Sequence, residues 1–159
     1  MHLTGITPVL NVSDVPASIA WFEKLGWERD FSWNQAGMIK GAADSNEHGP
    51  ARFAGVRAGD FAIFLCHDGQ GSRGTPPDKD YMAMVAALPK GTSPDEDAGG
   101  VWMSWWLKTP AEVDEACELA RRHGVAVAWP PTDEPWGVRE CRIVHPDGHT
   151  FRISAPIEG

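Results

Sequence analysis

The chain has 159 residues, a formal net charge of −8 and a pI near 5.1. This length fits one domain or two small fused halves, which can bury roughly two-thirds of the surface that the unfolded chain exposes. The acidic composition argues against a nucleic-acid binder, because phosphate affinity depends on clustered Lys and Arg. It permits a cationic ligand, although acidity that serves only solubility is the commoner case.

The three cysteines, Cys66, Cys117 and Cys141, are an odd number without CxxC spacing. They predict neither a disulfide framework nor a zinc ribbon, and they suit a reducing cytoplasm. Cys117 lies in a helical pattern, which favours a buried structural thiol over a nucleophile. The first residues lack a basic region followed by an apolar segment, and no run is long enough to span a bilayer. We therefore expect a cytoplasmic protein that is neither exported nor embedded in a membrane.

The first half of the chain predicts a strand, a helix and then further strands. The short apolar run 6–12 is followed by Ser13-Asp14, as expected of a strand that ends in a turn. Ser13 or Asp14 can cap the helix that comes next, and Gly26 ends it. Three further strands are predicted at 27–33, 53–56 and 61–66.

The second half repeats this order of elements. A strand is predicted at 101–107, and Thr109-Pro110 opens a helix that closes at Gly124. Further strands are predicted at 125–129, 138–144 and 150–155. The chain therefore reads as two copies of one β-α-β-β-β module.

Residues 67–100 separate the two modules and are rich in Gly, Pro, Asp and Ser. This composition predicts a connector rather than a sheet element. Within it, residues 81–88 can form a short helix that Pro89 ends. A partly ordered lid and a passive tether both agree with this pattern.

The runs 135–140 and 145–153 together predict two antiparallel strands joined by the turn Pro146-Asp147-Gly148. This hairpin, together with TPVLNVSDV at 7–15 and WFEKLGW at 21–27, resembles the glyoxalase/bleomycin-resistance/dioxygenase group, also called the vicinal oxygen chelate superfamily. The resemblance implies an α+β fold in which two β-α-β-β-β modules form a curved, partly closed mixed sheet around a cavity. It divides one compact domain into a first module at 1–66, the connector at 67–100 and a second module at 101–159.

In metal-dependent members such as glyoxalase I and the extradiol dioxygenases, His, Glu or Gln side chains project into the cavity from the first and last strands of each module. The resemblance places Thr7, Phe64, Trp102 and Arg152 at those positions. Divalent metals favour imidazole and carboxylate ligands, and an arginine cannot bind a cation. We therefore expect no metal, no other cofactor and no catalytic residues of the metal-dependent kind.

Strand alternation indicates what this cavity offers instead, because successive residues of a strand point to opposite faces. If Trp102 faces the cavity, Trp106 does so too, whereas Trp105 belongs to the core. The positions of Trp102 and Trp106 agree about equally well with packing in the core and with lining the cavity. The partner of Arg152 stays open among Glu140, acids linked to Arg139 and an anionic group of a ligand. The predicted ligand-binding residues are Thr7, Phe64, Trp102, Ser104, Trp106, Trp136 and Arg152.

The eight tryptophans and the missing metal ligands favour metal-free binding or sequestration of a small, largely flat organic molecule. The resemblance to bleomycin-resistance proteins adds antibiotic resistance as a role and a homodimer as the assembly, with ligand crevices between subunits. One alternative is a metal-dependent lyase, isomerase or dioxygenase that uses atypical ligands such as His67 and Glu140. Another is a scaffold whose cavity its own tryptophans fill. Solvent exposure is expected of the histidines His48, His123, His145 and His149.

Overall fold

The computed structural model describes residues 2–69, 71–89 and 99–157. The chain divides into two compact units, Met1–Gly71 and Ser72–Gly159. Each unit contains one β-α-β-β-β module with a mixed sheet, so the predicted α+β class and the two modules are confirmed.

The elements of the first unit are β1 Val9–Val12, α1 Val15–Glu23, β2 Glu28–Asn34, β3 Gly37–Ile39, β4 Ser45–Asn46, β5 Gly49–Pro50, β6 Phe53–Ala58 and β7 Phe61–His67. Five of the strands form a sheet in the order β1-β7-β6-β2-β3, with β1 and β7 parallel and the remaining neighbours antiparallel. The strands β4 and β5, which come between β3 and β6 in the sequence, form a separate hairpin.

Helix α1 begins and ends where its sequence predicts. The Asp14 side chain accepts a hydrogen bond from the Ala17 amide at 2.9 Å, which caps the helix, and Gly26 adopts a φ of +83° just beyond its end. Ile19 and Phe22 are fully buried, and the helix packs against β2, β6 and β7. One face of the first sheet is therefore covered by α1.

The elements of the second unit are α2 Lys79–Ala87, β8 Trp102–Trp106, α3 Pro110–Arg122, β9 Ala126–Glu134, β10 Val138–Val144 and β11 Thr150–Pro156. Its strands form a four-stranded sheet in the order β8-β11-β10-β9, with β8 parallel to β11.

Helix α3 covers one face of this second sheet. Thr109 and Glu112 form a capping box at its first turn, with the Glu112 carboxylate accepting from the Thr109 amide at 2.9 Å. Its buried side includes Cys117, whose thiol contacts that of Cys141 on β10. That thiol contact, together with burial, raises the pKa of Cys141. Cys117 is thus the buried structural thiol that the helical pattern predicts.

Some strand limits differ from those predicted. Strand β1 begins at Val9 rather than at residue 6, and β3, β4 and β5 were not predicted. Strand β9 runs to Glu134, beyond the segment 125–129 that was predicted to begin it. The extension passes through Pro130-Pro131, which a sheet tolerates here because β9 is an edge strand and needs no amide donors on its outer side.

From Ser72 onwards, the described parts of the connector belong to the second unit. The Gly74 amide donates to the Asp147 carbonyl at 2.8 Å, and Gly74 forms an isolated bridge with Gly99. Helix α2 starts at Lys79, two residues before the predicted helix. Residues 90–98 of the predicted connector lie outside the described residues. Within the described ranges, no helix is long and apolar enough to cross a membrane.

Candidate functional site

The second sheet presents one face away from α3, and the strand register decides which side chains lie on it. On β8 and β11, Trp102 pairs with Thr150, Ser104 with Arg152, and Trp106 with Ser154. Paired residues of neighbouring strands project to the same face. This surface, called here the arginine face, therefore carries four of the residues predicted from the sequence: Trp102, Ser104, Trp106 and Arg152.

The residues between these positions lie on the opposite face of the sheet, where Trp105 is half-buried. The rings of Trp105 and Phe151 lie 4.5 Å apart between centroids at an angle of 31°. Phe151 and Ile153 are buried, and α3 packs against β9, β10 and β11. Trp105 therefore lies on the opposite side of the sheet from its neighbour Trp106.

A buried carboxylate organises the arginine face. Glu140 on β10 is only 2% exposed, and its Oε1 accepts from Arg142 Nε at 2.8 Å and from Arg152 Nε at 3.1 Å. Its Oε2 accepts from the Ser154 hydroxyl at 3.3 Å. Glu140 is thus the residue, among the candidates left open by the sequence, that pairs with Arg152.

Two tryptophans lie over the second arginine of this network. The Arg142 guanidinium carbon is 5.2 Å from the ring centroid of Trp129 and 5.8 Å from that of Trp102. Trp129 is fixed in turn by a hydrogen bond from its Nε1 to Glu134 at 3.1 Å. Such cation–π contacts attract the guanidinium electrostatically to the faces of the two rings.

The sequence interpretation missed Arg142 and Trp129. The signal for Arg142 was present, since it lies two residues from Glu140 on a strand and must share its face. Trp129 was harder to place, because an extra residue in β9, opposite Glu140–Arg142, shifts its pairing with β10.

The tryptophans of the second unit differ in exposure. Trp106 is 64% exposed on the arginine face, whereas Trp102 is half-buried beside Arg142. Trp136 is 59% exposed, but it lies in the turn between β9 and β10 rather than on a strand. An exposed indole on a sheet face offers a flat stacking surface, which Trp106 supplies most openly.

The first unit has its own aromatic surface on the side away from α1. Phe64 packs with Phe31 and Phe53 at centroid distances between 5.4 and 5.8 Å. Gly55 lets Phe31 lie close to the sheet, because a Cβ there would fall 2.6 Å from the Phe31 ring. Thr7 was expected on the first strand, but it is exposed and precedes β1. The strand begins later because its pairing with β7 starts at Val9.

An open groove adjoins this cluster and has a volume of about 510 Å³, within the range of small-molecule sites. His67 lies at its edge, at the end of β7. The groove is lined by Trp33, Gln35, Arg52, Phe53, Cys66 and His67. Of this lining, Trp33, Gln35, Arg52 and Phe53 were not anticipated from the sequence.

The residues at the family's metal positions do not fit a metal. Within residues 2–69, 71–89 and 99–157 there is no cluster of three His, Cys, Asp or Glu side chains that could hold one. Glu140, the carboxylate proposed as an atypical ligand, already accepts from Arg142, Arg152 and Ser154. A cation would have to displace two guanidinium groups to reach it.

The expectation that His145 and His149 are exposed is wrong. They are 1% and 0% exposed, and their rings lie 5.7 Å apart. His145 Nδ1 accepts from the Asp147 amide at 3.0 Å, and His149 Nδ1 accepts from the Val101 amide at 3.1 Å. Burial lowers the pKa of His145 to about 3, so this ring is neutral at physiological pH. Both histidines therefore hold the closing hairpin together, whereas His48 and His123 are exposed as expected.

Comparisons with known proteins agree with this architecture. The sequence model of the Glyoxalase/Bleomycin resistance protein/Dioxygenase superfamily matches residues 2–153. No curated protein matches the chain at a significant level.

Solved structures resemble the chain in fold. TioX from Micromonospora sp. ML1 has 16% identity and a TM-score of 0.64, with 96% of this chain and 98% of that chain covered. A glyoxalase/bleomycin resistance protein/dioxygenase from Nocardioides has 22% identity and a TM-score of 0.61, with coverage of 100% and 87%. A bleomycin-binding protein from Streptomyces verticillus, solved with copper(II)-bleomycin, has 22% identity and a TM-score of 0.53, with 98% of both chains covered.

Proposed function

The chain belongs to the glyoxalase/bleomycin resistance protein/dioxygenase superfamily, and we propose that it binds a small, largely flat organic molecule without a metal and without covalent chemistry. The observation that carries this proposal is the arginine face. Arg152 occupies a position where the family resemblance implies a metal ligand, and it is paired with the buried Glu140. Trp102 and Trp106 lie on the same face, so the chemistry available there is stacking and hydrogen bonding rather than Lewis-acid catalysis.

The aromatic surface of the first unit also supports a binding role. An apolar surface is formed there by the rings of Phe31, Phe53 and Phe64. The groove beside it is also lined by the polar side chains of Arg52 and His67. Ligand sites commonly combine such apolar walls with a few polar groups that orient the ligand.

The biological role that we favour is sequestration of an antibiotic of the bleomycin type by a cytoplasmic homodimer. The fold shared with a bleomycin-binding protein from Streptomyces verticillus supports the ligand class. The free thiols agree with a reducing compartment. Sedimentation at micromolar concentration should give the mass of a dimer, and a monomer mass throughout that range would contradict the assembly.

Two measurements test the function. Protein purified without chelator should contain no stoichiometric Zn, Ni, Mn or Fe, and calorimetric titration in metal-free buffer should show binding of a bleomycin or of 2-naphthyl probes. Trp106→Ala should weaken that binding, whereas Phe61→Ala, which removes an aromatic side chain that is 77% exposed in the first unit, should not. Near-unit occupancy by one metal, lost together with an activity on chelation, would instead favour a lyase, isomerase or dioxygenase.

A further inference from the structure

The charge arrangement on the arginine face restricts the ligand further. We propose that the bound molecule is an aromatic acid, whose carboxylate pairs with the terminal nitrogens of Arg152 while its ring stacks on the tryptophan surface of β8. This inference rests on the proposed binding function, but it replaces a cationic antibiotic such as a bleomycin by an acid as the preferred ligand.

The first argument is the unused hydrogen-bonding capacity of Arg152. A guanidinium carries five N–H donors in a planar fork. Across the described residues, the only hydrogen bond from Arg152 is the one from Nε to Glu140, and the side chain is 32% exposed. Its two terminal nitrogens therefore reach solvent and can bind a carboxylate through two parallel hydrogen bonds.

The second argument is the way in which Glu140 is shared. Its Oε1 is closer to Arg142, at 2.8 Å, than to Arg152, at 3.1 Å. Arg142 is only 4% exposed, so its charge depends on this carboxylate far more than the charge of Arg152 does. Glu134, the other carboxylate on this face, accepts from Trp129 on the distant edge strand β9. Arg152 is thus a partly exposed cation whose one carboxylate partner is shared, in a chain of net charge −8.

The third argument is the set of side chains beside Arg152. Ser104 pairs with Arg152 in the strand register and is exposed, so its hydroxyl can donate to the same carboxylate. Trp102 and Trp106 are two residues away on either side of Ser104, about 6.6 Å along the strand. A fused two-ring acid can therefore cover one indole while its carboxylate lies at Arg152.

The experiment compares three probes that share one ring system: 2-naphthoate, 2-naphthamide and 2-naphthylmethylamine. Binding to the intact protein is measured by calorimetry at low salt. The acid should bind at least about tenfold more tightly than the neutral amide, which is the ratio that one charge-assisted hydrogen-bonded pair supplies. Arg152→Met should abolish this ratio, and Arg152→Lys should keep part of it. Arg57→Met, which removes an exposed arginine of the first unit, should leave it unchanged.

Ser104→Ala provides a second variant that leaves the Glu140 network in place, so a folding defect in Arg152→Met does not decide the outcome. It should weaken binding of the acid and not of the amide. Equal binding of acid and amide, or tighter binding of the amine, would overturn the anionic ligand while the binding function stands. If neither the three probes nor a bleomycin binds, the proposed function fails together with the inference.

Discussion

Arg142 and Glu140 form an ion pair that is almost completely buried, with Nε 2.8 Å from Oε1 and neither side chain more than 4% exposed. Removing water from two charges costs several kcal/mol per ion, and only close mutual contact offsets that cost. Glu140 therefore contributes both to the proposed ligand-binding face and to the stability of the second unit.

Replacing Glu140 by Gln should destabilise the protein by about 3 kcal/mol, because the buried arginine loses its counter-charge. The urea midpoint should fall accordingly. Glu118→Gln is the matched control, since Glu118 pairs with Arg121 at 4.0 Å on the exposed side of α3. Exposed pairs contribute about 0–1 kcal/mol, so the control should hardly change. Similar midpoints for the two variants would show that the buried pair contributes nothing.

The adjacent residues Trp105 and Trp106 should respond differently to truncation. Trp105→Ala removes the ring that packs on Phe151 and should cost about 3 kcal/mol of stability. Trp106→Ala removes a side chain that is 64% exposed, so it should change stability little and weaken binding of a flat ligand instead. Denaturant midpoints and calorimetric titrations of both variants test this. A larger loss of stability in Trp106→Ala would mean that β8 presents its other face.

The alternation of β8 and β11 allowed much of the arginine face to be predicted. The family resemblance supplied Trp102 and Arg152, and a period of two then predicted that Ser104 and Trp106 share their face. Alternation could not reveal the cation–π contact of Arg142 with Trp129, because β9 has an extra residue opposite β10 at this point, and only the folded pairing shows that shift in register.

The buried histidines show a second limit of sequence interpretation. His145 and His149 flank a Pro-Asp-Gly turn, which by itself predicts exposure. They are buried because segments distant in sequence cover the turn: Val101 donates to His149, and Gly74 donates to the carbonyl of Asp147. No local pattern encodes such contacts.

His145 should make stability depend on pH below neutrality. Its pKa is about 3 in the folded protein and near 6.5 when the chain is unfolded, so the unfolded state binds the proton more readily. The stabilisation is therefore present above pH 6.5 and is lost as the pH falls towards 3. Between pH 7 and pH 5 the loss should be about 2 kcal/mol.

Denaturation of His145→Asn should isolate this contribution, because an amide oxygen can replace Nδ1 as acceptor for the Asp147 amide without titrating. The decline in stability from pH 7 to pH 5 should be shallower in this variant than in the unaltered protein. His123→Asn, at the exposed end of α3, should keep the full decline. An unchanged slope in His145→Asn would mean that the ring is protonated in the folded state.

Gly148 should tolerate alanine far less well than Gly124, although both have positive φ values, +76° and +68°. At Gly124 an added Cβ meets no atom within 4 Å, so only backbone strain of about 1–2 kcal/mol is expected. At Gly148 it would overlap the backbone of Gly74 and Thr75, which holds the connector against the hairpin turn. Gly148→Ala should therefore break the hydrogen bond from the Gly74 amide to Asp147, which is 2.8 Å long. Amide exchange at Gly74 should accelerate at least about tenfold in Gly148→Ala and hardly in Gly124→Ala, whereas equal exchange in the two variants would show that the turn does not hold the connector.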